Sequence, residues 1–330
     1  MRAMFKTDAA VHNNATPNVV QMGTIPVRQD VSHANHQGEQ KAGQRKNTEK
    51  LVNKLAPAIG RFLEPGEVVL YIARVQAPAN VLEQLTWGWY LYYVTATVLV
   101  FTNQRILHLR VDSGHQWTRG TKSVAWRDVS KAEVKGWLSK QLKLTYADGS
   151  SMTYWKLRGA DAKVLKVLLP VLKNAYATEV GTTRMAALCP ECKGTMPAKT
   201  YACMSCGLLF KNERTMMLLA LVPGGAYIYC RRWFLAILDI LGEGYSLLLF
   251  FAAIMLGIAA VTHQLGEDGQ PIPMEAALLI LVIALIVFGI DVAVTIHHCQ
   301  RLVRDHISAD KYNQQRSQLK GMAAASSQVK

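Results

Sequence analysis

Four cysteines in two close pairs, Cys189-Pro-Glu-Cys192 and Cys203-Met-Ser-Cys206, constrain this 330-residue chain more than any other feature. Their spacing is C-x2-C-x10-C-x2-C, and each pair stands beside a Pro or a Gly that favours a tight turn. A CxxC turn lets two thiolates converge on one ion. Two such turns complete the tetrahedral shell of four thiolates that zinc prefers. A redox dithiol and an iron–sulfur cluster are the alternatives for the same residues. Four thiolates leave no open coordination position, so Cys189, Cys192, Cys203 and Cys206 are expected to hold a structural Zn2+ rather than a catalytic one. Residues 193–202 include Gly194, Pro197 and Tyr201, enough for a short hairpin, and a small β zinc ribbon is expected over 185–212. So small a module has little core of its own, and metal binding supplies much of its folding free energy.

The cysteines also divide the chain by composition. After residue 215 the sequence turns apolar. Residues 245–261 form one run, which extends back to Phe234 with only Asp239 and Glu243 as acidic interruptions, and residues 276–296 form a second, whose only charge is Asp291. The second matches the roughly 20 residues that cross a hydrocarbon core as a helix. Glu267, Asp268 and Glu275 lie between the runs with no Lys or Arg, whereas Lys211, Arg214, Arg231 and Arg232 precede them and Arg301 and Arg304 follow. Basic residues stay on the cytosolic side. The pattern therefore predicts an α-helical transmembrane hairpin over 232–299, with both termini in the cytosol and a short acidic outer loop. Residues 215–231 are apolar but short and broken by Pro223-Gly224-Gly225, so a re-entrant or interfacial segment is expected. That stretch resembles the PGxGxxYxGxxxxGI segments of two-helix bacterial membrane domains, although Cys230 and Arg231 stand where small residues would follow Tyr229.

Asp239, Glu243 and Asp291 are candidate intramembrane polar residues, since ionisable groups at that depth are costly and often functional. The competing reading places Asp239 and Glu243, four apart on one helix face, at headgroup level near Arg231 and Arg232. His297 and His298 are read as an interfacial pair rather than metal ligands.

Ahead of the cysteines the pattern differs. Residues 1–50 are polar with no sustained apolar period and read as a disordered tail, and His12, His33 and His36 are too widely spaced to suggest a metal site. A short helix is expected over 49–62. Strands are expected over 68–75, 89–101, 105–111, 123–126, 129–137, 142–146 and 151–155, with the last two joined by the hairpin turn Ala147-Asp148-Gly149-Ser150. From Gly159 the apolar period becomes helical through Ala162, Leu165, Leu168, Leu169 and Leu172, with a break at Pro170. The pattern fits a small barrel with a helix plugging one end.

Four stretches in order carry a family resemblance. They are Leu63-Glu-Pro-Gly-Glu-Val-Val-Leu-Tyr71, Val98-Leu-Val-Phe-Thr-Asn-Gln-Arg-Ile-Leu107, Trp126-Arg-Asp-Val-Ser130 and Leu142-Lys-Leu-Thr-Tyr-Ala-Asp-Gly149. Together they resemble the bacterial pleckstrin-homology-like (PH-like) domain over roughly residues 60–175. The resemblance implies a strongly bent, seven-stranded sheet capped by a helix, and it implies no particular ligand. The expected architecture is thus multidomain: a disordered tail (1–50), a mainly-β PH-like barrel with a C-terminal helix (51–178), the zinc ribbon, the interfacial segment, the transmembrane hairpin and a cytosolic tail (300–330).

The formal net charge of +14 calls for an anionic neighbour. Arg105, Arg110, Arg119, Lys122 and Arg127 are candidates for contact with an anionic surface, either lipid headgroups or an acidic protein. The aromatics Trp87, Trp89, Tyr90, Tyr92, Tyr93, Trp126, Trp137 and Trp155 read as core and rim, with Trp87-Gly-Trp89 a possible surface anchor. No nucleophile elbow, phosphate loop or HExxH motif occurs, so no enzyme is expected. The reading is a binding or scaffold protein of the bacterial inner membrane, with protein partners or self-assembly through the barrel. Two alternatives remain: a membrane-tethered regulator whose ribbon binds nucleic acid, and a transport or channel subunit using the three carboxylates. Nucleic acid is the less favoured partner, because a ribbon beside a bilayer cannot easily dock on a duplex.

Overall fold

The computed structural model describes residues 19–32, 34, 37, 39, 42–77, 95–137, 139–176, 185–197, 200–262 and 273–304. Chain contacts separate two compact units: Met1–Ala198 with Cys203–Cys206, and Lys199–Ala202 with Gly207–Lys330.

The first unit is built on antiparallel strands β3 (Val69–Gln76), β4 (Ala96–Thr102), β5 (Arg105–Val111), β6 (Trp117–Ala125), β7 (Val129–Lys135), β8 (Lys140–Tyr146) and β9 (Ser151–Leu157). Their spatial order is β6-β5-β4-β3-β9-β8-β7, so the first strand of the set joins the last, through Gln76 opposite Trp155. Helix α3 (Gly159–Tyr176) follows. Seven strands and a following helix correspond to the arrangement the resemblance implied.

Every residue of β4 is buried because both its faces are covered. Leu99 and Phe101 belong to one core with Ile106, Trp126, Leu142, Leu144 and Tyr154, into which α3 inserts Leu165, Leu168, Leu169 and Leu172. Val98 and Val100 belong to a second core with Leu107 and Leu109, covered by Leu51, Val52, Leu55 and Ile59 of α2 (Ala42–Phe62). A strand enclosed on both sides has no polar face to alternate with, which is why this stretch reads as a continuous apolar run.

Three expectations need correction. Residues 19–32 are not a featureless tail: β1 (Val19–Met22) and β2 (Ile25–Arg28) form a hairpin around Gly23, and α1 (Gln29–Ser32) follows. Ile25 and Val27 are fully enclosed, and Val27 pairs in parallel with Val69 of β3. Two apolar residues in a polar background suffice here because the burial comes from long-range pairing. The remainder of the expected tail, including His12, His33 and His36, lies outside the described residues. Strand β6 is nine residues long rather than a brief 123–126, because Thr121 and Ser123 occupy buried positions and mask its pattern. Helix α3 continues past Pro170 to Tyr176. Proline in a helix interior costs roughly 3 kcal/mol, and the buried Leu165, Leu168, Leu169 and Leu172 offset it. The expected strand over 89–101 is described only from its Ala96 end, and Trp87, Trp89, Tyr90, Tyr92 and Tyr93 lie outside the described residues.

Two further strands, β10 (Ala186–Leu188) and β11 (Thr195–Met196), flank the first cysteine pair. β10 pairs with β6, placing Ala186 opposite Ser123 and Leu188 opposite Thr121. The first cysteine turn therefore extends the large sheet instead of standing apart from it. The pairing covers an edge of β6 that would otherwise present unsatisfied backbone groups.

The second unit is helical: α4 (Glu213–Leu219), α5 (Gly225–Tyr229), α6 (Trp233–Val261) and α7 (Met274–Arg304). Asn212 caps α4 by accepting from the Arg214 amide at 2.8 Å. Helices α6 and α7 are long and apolar enough to cross a membrane. Their pairing includes the rings of Phe250 and Phe288, stacked 6.4 Å apart. Unlike the core helices of a soluble fold, both leave large side chains such as Leu248, Phe251, Leu279 and Ile283 exposed. The acidic loop residues Glu267 and Asp268 and most of the 300–330 tail lie outside the described residues.

Candidate metal centre and anion-binding cavity

The four cysteine sulfurs lie within 4.8 Å of one another. Cys189 Sγ is 3.6 Å from Cys206 Sγ, and Cys192 Sγ is 3.4 Å from Cys203 Sγ. A tetrahedron with metal–sulfur bonds of about 2.3 Å has sulfur–sulfur edges of roughly 3.8 Å, so these separations suit one small ion and are too long for a disulfide bond. The backbone is shaped for the same end. The Cys189 amide donates to the Gly194 carbonyl at 2.9 Å, and the Lys193 amide donates to the Cys189 carbonyl at 3.0 Å. Lys193 and Gly207, each one residue past a pair, take the left-handed conformation that closes the turn. Gly194 packs closely, since a Cβ there would sit 3.1 Å from Ser205 Oγ and 3.4 Å from Cys192 Sγ. Burial pushes the Cys189 thiol up. Burial also raises that of Cys203, but amide hydrogen bonds from Cys206 and Ser205 outweigh it and bring the group down to about 7. The four thiols can hold a metal ion.

The centre is tied to the sheet by charge as well as by β10. Arg61 Nη1 donates to the Pro190 carbonyl at 2.8 Å, and Arg61 and Arg119 each reach the Glu191 carboxylate at 3.4 Å.

The five basic residues nominated from the sequence do not form one patch. Arg105 lies beneath the turn after α2, with its guanidinium on Glu67 at 2.8 Å, Glu64 at 2.8 Å and the Phe62 carbonyl at 2.7 Å. Arg119 faces Glu191. Arg110 is buried and Lys122 half-buried. Burial, followed by the nearby Arg110 charge, brings the Lys122 ammonium down to about 8. Arg127 alone is exposed, in the short turn between β6 and β7.

A different set of basic residues converges. At one end of the sheet a cavity of about 260 Å³ is lined by Arg74, His115, Lys156 and Arg158. Val75, Val98 and Val111 are among the apolar residues that complete it, and none of its described lining residues is acidic, Asp161 lying nearby on α3. The four polar groups come from β3, the β5–β6 turn, β9 and the residue just beyond β9. Burial, then the charges of Arg74 and Lys54, lower the His115 pKa, and burial lowers that of Lys156. Strands so far apart in sequence place single basic residues at one rim. No local motif announces the cavity; only the strand order reveals it.

Deeper in the same unit is a buried polar group. His108 lies between Thr97 Oγ1 at 3.2 Å and the Tyr154 hydroxyl at 3.3 Å. Burial, reinforced by Lys122 and Arg110, holds its pKa well below the ordinary histidine value. Trp126 is core, donating from Nε1 to the Thr102 carbonyl at 2.8 Å. Trp137, in contrast, is 88% exposed at the turn between β7 and β8.

In the second unit, Asp239, Glu243 and Asp291 are brought together, the first two from α6 and the third from α7. Asp239 accepts from the Gly224 amide at 3.1 Å and from Thr295 Oγ1 at 2.8 Å. Ser246 Oγ donates to Asp291 at 3.3 Å. Glu243 is only 1% exposed, and its Oε1 has no hydrogen-bond partner. His298 is buried against the Tyr227 hydroxyl at 3.2 Å. Lys211, counted among the basic flanks, is also buried: its ammonium bonds the Tyr229 carbonyl and lies 4.6 Å above that residue's ring.

No protein-family model matches the chain, and no curated protein does. Among solved structures the chain is similar to the Vps36 N-terminal PH domain, at 18% identity over 34% of this chain and 83% of that chain, with a TM-score of 0.25.

Proposed function

We propose that this chain is a membrane-anchored, non-enzymatic binding protein whose β unit takes up anionic groups through the cavity at Arg74, His115, Lys156 and Arg158. The observation that carries the reading is that four basic residues from separate elements meet in one concave site, none of whose described lining residues is acidic. Such a site favours a phosphate or carboxylate group, because Arg and Lys give charge-assisted hydrogen bonds that strengthen as water is displaced. Its apolar walls suit the glycerol or acyl carbons next to a lipid phosphate, which makes anionic lipid the favoured ligand and an acidic protein segment the second.

In this reading α6 and α7 form the anchor, a two-span hairpin in a bacterial inner membrane with both termini in the cytosol. The PH-like unit then faces the anionic leaflet. The cysteine centre is a zinc ribbon with a structural Zn2+, reducing conditions keep its thiols available, and its task is to hold the edge of β6. Self-assembly or a protein partner engages surfaces of the β unit other than the cavity.

The test is titration of the full chain, held in nanodiscs of neutral lipid, with short-chain phosphatidylglycerol and short-chain phosphatidylcholine. The anionic lipid should bind at least tenfold more tightly, and Arg74→Glu/Arg158→Glu should abolish the difference. Equal binding of the two lipids by the unmodified chain would rule the reading out.

A further inference from the structure

The membrane half holds a group of acids with no positive partner. Asp239, Glu243 and Asp291 would together carry three negative charges, yet none forms an ion pair among the described residues. From the turn before α5 comes the Gly224 amide, and from α7 come Thr295 and Asp291, with the buried Cys299 on the same helix. Ser246 approaches Asp291 from α6. His298 is engaged with Tyr227. Among the described residues, the hydrogen bonds to Asp239 and Asp291 come from one amide and two hydroxyls, all neutral.

Two details point to what is missing. Asp239 and Glu243 stand four residues apart on one face of α6. Two ionised carboxylates at that spacing repel, and a hydrogen bond between them requires a proton on one. In addition, Glu243 is almost fully enclosed and one of its oxygens has no donor. An enclosed, ionised carboxylate left in that condition costs several kcal/mol.

We propose that Asp239, Glu243 and Asp291 form a proton-binding site in the helical unit, with the proton resident on Glu243 and shared with Asp239. Asp239 in turn holds the Gly224 amide and Thr295, so the proton stabilises the junction of the Pro223–Gly225 turn with α6 and α7. Losing it sets like charges against one another at that junction. The turn is built for close approach. Gly224 has φ +72°, and a Cβ there would sit 2.6 Å from Ile240 Cγ1 and 3.0 Å from the Ala236 carbonyl. The carboxyl group thus meets backbone rather than a longer side chain.

Dicyclohexylcarbodiimide, which reacts with protonated carboxyls in apolar surroundings, tests the site on the full chain in nanodiscs. Peptide mapping should find the adduct on Glu243 at least tenfold above any other carboxyl, with the yield falling as pH is raised. Glu243→Gln should remove that adduct and also an infrared carboxylic-acid band present in the unmodified protein. Absence of the Glu243 adduct would overturn the proposal, as would a yield independent of pH. Protection by Na+ at constant pH would overturn it too, by assigning the site to a metal cation. All three readings come from the unmodified chain, so poor folding of the variant would not mask the answer.

Discussion

Replacing Arg105 by Ala should destabilise the β unit by about 3–5 kcal/mol, the usual cost of breaking a buried ion pair by removing one partner. The stranded partner would be Glu67, whose side chain is 0% exposed. Glu67 now accepts from Arg105 Nε at 3.0 Å and Nη2 at 2.8 Å, from Thr102 Oγ1 at 2.6 Å and from the Glu64 amide at 2.9 Å. The truncation removes both guanidinium bonds and leaves two neutral donors for a buried negative charge. The further contact to Glu64, more than half exposed, adds at most about 1 kcal/mol. Adding Glu67→Gln to the Ala variant neutralises the stranded charge and should restore about 2–3 kcal/mol of the loss, since residues in one network couple on that scale. The assay is denaturant unfolding of the full chain in detergent, followed by the fluorescence of the enclosed Trp126. A loss below about 1 kcal/mol with no restoration by Glu67→Gln would refute the reasoning. It would also return Arg105 to the list of residues available for a ligand.

Three further outcomes follow from the same geometry. Cys203→Ser should lower the metal content from one ion per chain to none by elemental analysis. The same substitution should speed amide exchange at 186–188 and 121–123, where β10 pairs with β6, while leaving α3 protected. His108 sits folded with its pKa depressed by burial, then by Lys122 and Arg110, so the unfolded chain binds its proton more readily. The stability it contributes is complete above the unfolded value near 6.5 and declines as pH falls below it. His108→Gln should flatten the unfolding midpoint between about pH 6.5 and pH 5, and an unchanged slope would disprove the assignment. Gly224→Ala places a methyl group against Ile240 at a left-handed backbone and should lower the melting temperature in detergent by several degrees. Gly242→Ala, whose Cβ meets nothing within 4 Å, should not.

Much of this architecture was legible in the sequence, for identifiable physical reasons. The cysteine spacing survives any context because two turns closing on one ion need only local geometry, and the four sulfurs do converge. Helices α6 and α7 were visible because few soluble segments maintain such length with so little charge. Strands β5 and β8 showed through their flanking turns. What stayed hidden depends on pairing across long separations. Ile25 and Val27 are buried by a partner 42 residues onward, at Val69. Thr121 and Ser123 are interior because β10 covers their strand. Arg105, Arg110, Arg119, Lys122 and Arg127 read in the sequence as basic strand and loop positions open to an anionic surface, yet Arg105 and Arg119 face acids and Arg110 is buried. The cavity instead gathers Arg74, His115, Lys156 and Arg158, which no window of sequence places together. In the helical unit the three carboxylates were each conspicuous, but the bonds of Asp239 to Gly224 and Thr295 and of Asp291 to Ser246 rest on packing that hydropathy does not report.

The most direct test of the central claim is the reactivity of Lys156 toward an amine-labelling reagent in the full chain, reconstituted in neutral and in anionic nanodiscs. With the cavity occupied by anionic headgroups, Lys156 labelling should fall several-fold in the anionic bilayer while that of Lys166, exposed on α3, stays constant. Equal labelling of Lys156 in the two bilayers would contradict the account.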